Sequence, residues 1–145
     1  MATRSSIRFA TRAKGVSFNE LPETIHAKFY AHWDGYPSSR GVEIAESLLY
    51  GSKIDGWEVE SLESRHTDLE YVYYIWQAHG KETYISIFER TNYSEESWHL
   101  EYEEKDLYTC IFVGLPIALI EKYKLKTDVE VPSFDKYKLN TNEEG

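Results

Sequence analysis

Residues 69–78, LEYVYYIWQA, are apolar on both sides when drawn as an extended chain: Leu69, Tyr71, Tyr73 and Ile75 face one way, Val72, Tyr74 and Trp76 the other. Their aromatic and β-branched content favours a strand, and a strand with two apolar faces has to be covered on both. The stretch therefore predicts a central strand in a layered domain. Residues 83–91 (TYISIFERT) and 97–103 (SWHLEYE) have similar composition and are joined to it by His79-Gly80-Lys81 and residues 92–96, which have turn chemistry. Together they predict a three-stranded antiparallel meander. In its third member Trp98, Leu100 and Tyr102 alternate with His99, Glu101 and Glu103, the pattern of a strand with one wet face.

The N-terminal part supplies a second strand pair. Residues 4–11 (RSSIRFAT) set Ile7 and Phe9 against Arg4, Ser6 and Arg8, and residues 25–33 set Ile25, Ala27, Phe29, Ala31 and Trp33 against His26, Lys28, Tyr30 and His32. This period of two predicts an antiparallel hairpin across the loop 12–23, with its apolar faces buried together. The other face then gathers Arg4, Arg8, His26, Lys28 and His32 into a basic, histidine-bearing surface. Asp34, Gly35, Tyr36 and Pro37 end the strand, since Gly35 permits a turn with positive φ and Pro37 lacks a ladder donor. Ser38 or Ser39 is placed to cap a helix over 41–50, with Val42, Ala45, Leu48 and Leu49 on its apolar stripe and Gly51 as its stop. Residues 52–68 are ambiguous, since GWEVESLES is compatible with a short strand or a second helical turn, and are read as irregular; 107–113 read as a further strand. Residues 115–124, with Pro116 in the first turn, read as a second helix with Ile117, Ile120 and Tyr123 at helical spacing. The expected class is α+β: a mostly antiparallel sheet of five or six strands with two helices packed on one face. The 145 residues fit a single domain, with a loose tail after about residue 139.

Charge is distributed unevenly within a net −9. Residues 1–40 carry six basic and three acidic side chains, and residues 41–120 carry five basic and sixteen acidic. So acidic a middle repels phosphate backbones, which argues against non-specific nucleic-acid binding. The lone Cys110 excludes an intrachain disulfide and favours a reducing compartment. No stretch is apolar enough for a signal peptide or a membrane span, so the expected location is the cytoplasm.

The segment 25–41, IHAKFYAHWDGYPSSRG, holds most of the residues with chemical potential. His26 and His32 share a strand face six residues apart, about 20 Å by strand rise, too far to ligate one ion. His32 and Asp34, joined by a histidine from elsewhere, would make a metal or acid–base site; the plainer reading has Asp34 accepting turn hydrogen bonds and His32 pairing across the sheet. Trp33, Tyr36 and Tyr30 form a candidate aromatic shelf with Arg40 near to hold an anion, against the reading of Trp33 as core. GYPSSRG matches no phosphate-loop fingerprint. Cys110 reads as inert core, and Ser38 and Ser39 lack a nucleophile elbow. Glu101, Glu103, Glu104 and Asp106 read as a solvated edge run rather than a carboxylate cluster. No catalytic residue, metal ligand or cofactor is assigned. The binding candidates are His32, Trp33, Asp34, Tyr36, Arg40, His26, Lys28 and Arg8.

The opening MATRSSIRF and the segment FYAHWDGYP resemble an uncharacterised family of small tailed-bacteriophage proteins, in which a MATRSxI start leads through a short strand to HWDGYP and then a helix. The resemblance covers roughly the first 50 residues and rests chiefly on His32, Trp33, Asp34, Gly35, Tyr36 and Pro37. It implies a phage-encoded protein working in the host bacterial cytoplasm. Taken with the acidic middle and the lack of a catalytic motif, it leads to the expectation of a non-enzymatic binding protein that engages a host protein or small-molecule ligand, for host modulation or anti-defence. The alternative is a small metal-dependent hydrolase or nucleotide-processing enzyme centred on His32 and Asp34, and a virion structural or assembly role is a third. A homo-oligomer is compatible with these readings; a membrane partner is not expected.

Overall fold

The computed structural model describes residues 3–12, 20–22, 24–77, 82–99 and 101–124. The turn read at 79–81, most of the loop 12–23 and the tail after 139 lie outside these. Six strands form one mixed sheet: β1 (Ser5–Thr11), β2 (Thr24–Ala31), β3 (Trp57–Glu60), β4 (Tyr71–Gln77), β5 (Thr83–Arg90) and β6 (Tyr108–Gly114), in the order β3-β2-β1-β4-β5-β6. Neighbours are antiparallel except β1 and β4, which are parallel. With helices α1 (Val42–Tyr50) and α2 (Pro116–Tyr123), the chain has the expected α+β class. β4 lies between β1 and β5 with Val72 to Trp76 all buried, the position its two apolar faces require.

Both helices cover one side of the sheet. Val42, Ile44 and Ala45 of α1 and Leu119 of α2 share a buried cluster with Ile7, Ala31, Tyr73, Ile75, Ile85 and Ile87. Burying each of the large aliphatic side chains contributes about 1.5–3 kcal/mol. The buried stripe of α1 is Val42, Ile44 and Ala45 rather than the one expected, and Leu48 and Leu49 are exposed. A π turn over Pro37–Gly41 precedes the helix, and its wider turn rotates the face that follows. Neither Ser38 nor Ser39 caps α1; Tyr36, in extended conformation, stands before the π turn and no side chain caps it. Gly51 ends α1 in the left-handed region at φ 72° and donates its N–H to Ser47 O, as read. In α2, Leu119 faces the core and Ile117 is exposed.

The other side of the sheet carries a second buried cluster that includes Tyr30, Leu69, Val72, Tyr74, Trp76, Phe88, Leu107 and Tyr108. Irregular chain covers it: Leu69 and Leu107 come from the connections before β4 and β6, and Arg65 ties them together by donating to Tyr102 O at 2.8 Å. Three sequence expectations are corrected here. The described residues of 97–103 are not a strand: Glu95–Trp98 form a 3₁₀ turn, and the third meander strand is β6. Local side chains decide this, since Asn92 Oδ1 accepts from Ser94 N at 3.0 Å and the Ser97 hydroxyl donates to Ser94 O at 2.6 Å. Residues 52–68 contain β3, where Trp57 packs on Phe29 with ring centres 5.6 Å apart. Finally, a register shift between Phe9 and Ala10 leaves His26 without an opposite residue and transfers Ile25 to the irregularly covered side.

Candidate functional site

The basic surface expected on the hairpin is instead a buried row. Successive Cα partners across the sheet are Glu60, Lys28, Arg8, Tyr74 and Ser86, and of these Lys28, Arg8, Tyr74 and Ser86 are buried. Arg8 Nη1 and Nη2 donate to the two carboxylate oxygens of Glu104 at 2.7 and 2.9 Å, Nη1 also to Tyr74 OH at 2.9 Å, and Nε to Ser6 Oγ at 3.0 Å. Glu104, read as part of a solvated run, is therefore the counterion of the most buried charge in the described chain. Burial alone would raise the Glu104 pKa, but the bonds and charge of Arg8 outweigh it and hold the carboxylate below its ordinary range. Lys28 is lowered, first by burial and then by the facing Arg8, and its ammonium donates to Ser64 O and Leu62 O. Every cation of the row is thus committed to a protein acceptor, which makes the row an organiser of the irregular cover rather than a reactive site.

The corner after β2 is held from below and open above. Gly35 N donates to Thr3 O at 2.9 Å, and the buried Tyr73 hydroxyl donates to Gly35 O. The positive φ of this turn belongs to Asp34, at 52°, and not to Gly35. Glycine is needed at 35 for a different reason: a Cβ there would stand 2.8 Å from Thr3 O and 2.9 Å from Ser5 Cβ. Arg40 turns inward and donates to Trp33 O at 2.7 Å, Asp55 O at 3.2 Å and the Glu43 carboxylate. It is a brace, and its guanidinium is not offered to a ligand. His32 Nε2 lies 3.1 Å from Glu58 Oε2 on the neighbouring edge strand β3. Asp34 is exposed. The bulged His26 is exposed at the opposite end of β2, with Nε2 2.6 Å from Thr11 Oγ1. Of the eight binding candidates, then, Arg8, Lys28 and Arg40 are buried supports. Trp33 and Tyr36, 65% and 41% exposed, are the large apolar groups presented to solvent.

A second exposed aromatic pair is hidden in the sequence by the strand-like alternation of 97–103, which points Trp98 inward. Tyr93 and Trp98 are 56% and 46% exposed, with ring centres 6.1 Å apart. The buried Arg90 guanidinium lies beneath both, 4.0 Å from the Trp98 ring centre and 5.3 Å from that of Tyr93. Its donors go to Asn92 O, Thr67 O, Ser97 O and Ser97 Oγ at 2.7–3.2 Å. The signal available in the sequence was the Asn-Tyr-Ser start of the segment, a turn former directly after a strand. At the far end of the sheet an open groove of about 570 Å³ is lined by Phe9, Thr11, His26, Leu48, Trp76 and Gln77 among others. Among the described residues no three His, Cys, Asp or Glu side chains gather as a metal site would require, and no helix is long and apolar enough to cross a membrane. No family model, curated protein or solved structure matches the chain.

Proposed function

We propose that this is a phage-encoded, non-enzymatic binding protein that engages a protein of the host bacterium, for host modulation or anti-defence, with Trp33 and Tyr36 as its anchor. The observation that carries the reading is that these two aromatic side chains stand in solvent on a backbone fixed by buried groups, Arg40 on Trp33 O and Tyr73 on Gly35 O. An exposed indole on a pre-ordered backbone loses little conformational freedom on binding, which is the property of interface hot spots. The phage origin and cytoplasmic setting come from the HWDGYP resemblance. The hydrolase reading has no observation in its favour: His32 is engaged with Glu58, Asp34 is exposed, and among the described residues no three His, Cys, Asp or Glu side chains gather around them.

Affinity capture from bacterial lysate with wild-type protein and a Trp33→Ala/Tyr36→Ala variant tests the reading. A discrete partner retained by the wild type and lost by the variant, at unchanged melting temperature, is the expected result. An identical captured set, or none from either, would overturn it.

A further inference from the structure

The corner and the Tyr93–Trp98 pair lie at the same end of the sheet. Ser5 pairs with Ala31 and with Tyr71, and Tyr71 with Glu89, so the end of β2, the starts of β1 and β4 and the end of β5 are level. Backbone bonds continue along this end: Gly35 N to Thr3 O, Glu70 N to Arg4 O and Arg90 N to Glu70 O, each 2.9 Å. From the end of β2 to that of β5 is three inter-strand steps, about 14 Å, which an extended chain covers in about four or five residues.

The chemistry around the pair is one-sided. Residues 92–103 contain Glu95, Glu96, Glu101 and Glu103, all exposed, and no Lys or Arg. Glu70 and Glu89 act on Tyr93 from the neighbouring strand ends: burial raises its hydroxyl pKa first, Glu70 and Glu89 raise it further, and Arg90 opposes them without reversing the direction. Arg90 lies against the rings with its donors spent on the protein, Glu103 is paired with Lys105 at 3.3 Å, and Glu95 and Glu96 stand exposed in the same turn as Trp98. Aromatic faces rimmed by carboxylates attract guanidinium and ammonium groups and repel phosphate.

Resting on the reading of the corner as an anchor, we infer that the Tyr93–Trp98 pair receives a basic segment, one bearing Arg or Lys, of the same protein partner that seats on Trp33 and Tyr36. The segment crosses the strand ends between the two aromatic pairs, the apolar contact fixing position and the basic one adding charge complementarity.

A fluorescein-labelled peptide of alternating arginine and glycine, titrated into the full chain, tests this directly, with the glutamate–glycine peptide as control. The basic peptide is expected to bind saturably, about tenfold more weakly in molar salt and about tenfold more weakly to Trp98→Ala. The acidic peptide is expected not to bind. A Glu95→Gln/Glu96→Gln variant, which keeps the rings, is expected to weaken the basic peptide about threefold. No binding of the basic peptide, or equal binding by wild type and both variants, overturns the inference. Because the titration does not involve lysate, loss of the shelf is separable from loss of the corner: if Trp33→Ala/Tyr36→Ala still abolishes capture while the peptide fails to bind, the corner reading stands alone.

Discussion

Arg8 is fully buried in the sheet with the Glu104 carboxylate as its counterion. Its alternation with Ile7 and Phe9 assigned it to the proper strand and the proper face. The expectation of a wet face failed because Glu104, 96 residues later, supplies a two-pronged acceptor and closes that side. Nothing local in RSSIRFAT announces a partner so distant, so the burial of this face could not be read from period alone. The pair yields a quantitative expectation. Glu104→Ala leaves a buried guanidinium without its counterion, which costs about 3–5 kcal/mol; because Glu104 is partly solvent-accessible, the lower end, about 3 kcal/mol, is expected in urea unfolding at neutral pH. The sign with pH follows from a carboxylate whose folded pKa lies below its unfolded value. Its contribution is full above the ordinary carboxylate range and is lost as pH falls through the folded pKa, so the gap between wild type and Glu104→Ala narrows in acid.

Among the elements, those built on uninterrupted alternation or on Gly and Pro punctuation were legible: β1, β2, β4, β5 and both helices fall where the pattern places them. Those decided by side-chain-to-backbone bonds were not. Residues 97–103 alternate as well as a strand does, yet Asn92, Ser94 and Ser97 wind the preceding chain into a 3₁₀ turn. The bulge opposite Phe9 and Ala10 and the π turn before α1 are likewise single-residue insertions that no period registers. The corner after β2 was legible as a turn, but the reason for its glycine was not. Gly35 sits against the start of β1, so Gly35→Ala is expected to push Thr3 away and cost about 1–3 kcal/mol, with faster amide exchange at Gly35 as the local readout. A Gly35 amide that stays protected in that variant would contradict the close approach.

At the scale of the whole molecule, two aromatic pairs, each on backbone braced by a buried arginine, occupy one end of the sheet, and the groove beside His26 occupies the other. The charged side chains that first invited a functional reading, Arg8, Lys28 and Arg40, work inside the protein. Of the exposed candidates, Trp33 and Tyr36 are the large apolar ones, and Asp34 and His26 the polar ones. Only half of the aromatic end was visible in the sequence: HWDGYP marked the corner, whereas the Tyr93–Trp98 shelf depends on Arg90 reaching Ser97 across a turn that composition does not reveal. The most direct test of this polarity is photo-crosslinking in bacterial cells with p-benzoylphenylalanine placed at one position at a time: Tyr36 or Tyr93 at the aromatic end, His26 at the groove end. A shared, discrete adduct from positions 36 and 93 and none from 26 is the predicted result. Adducts from 26 alone, or different partners captured by 36 and 93, would contradict the assignment of a single partner to the aromatic end.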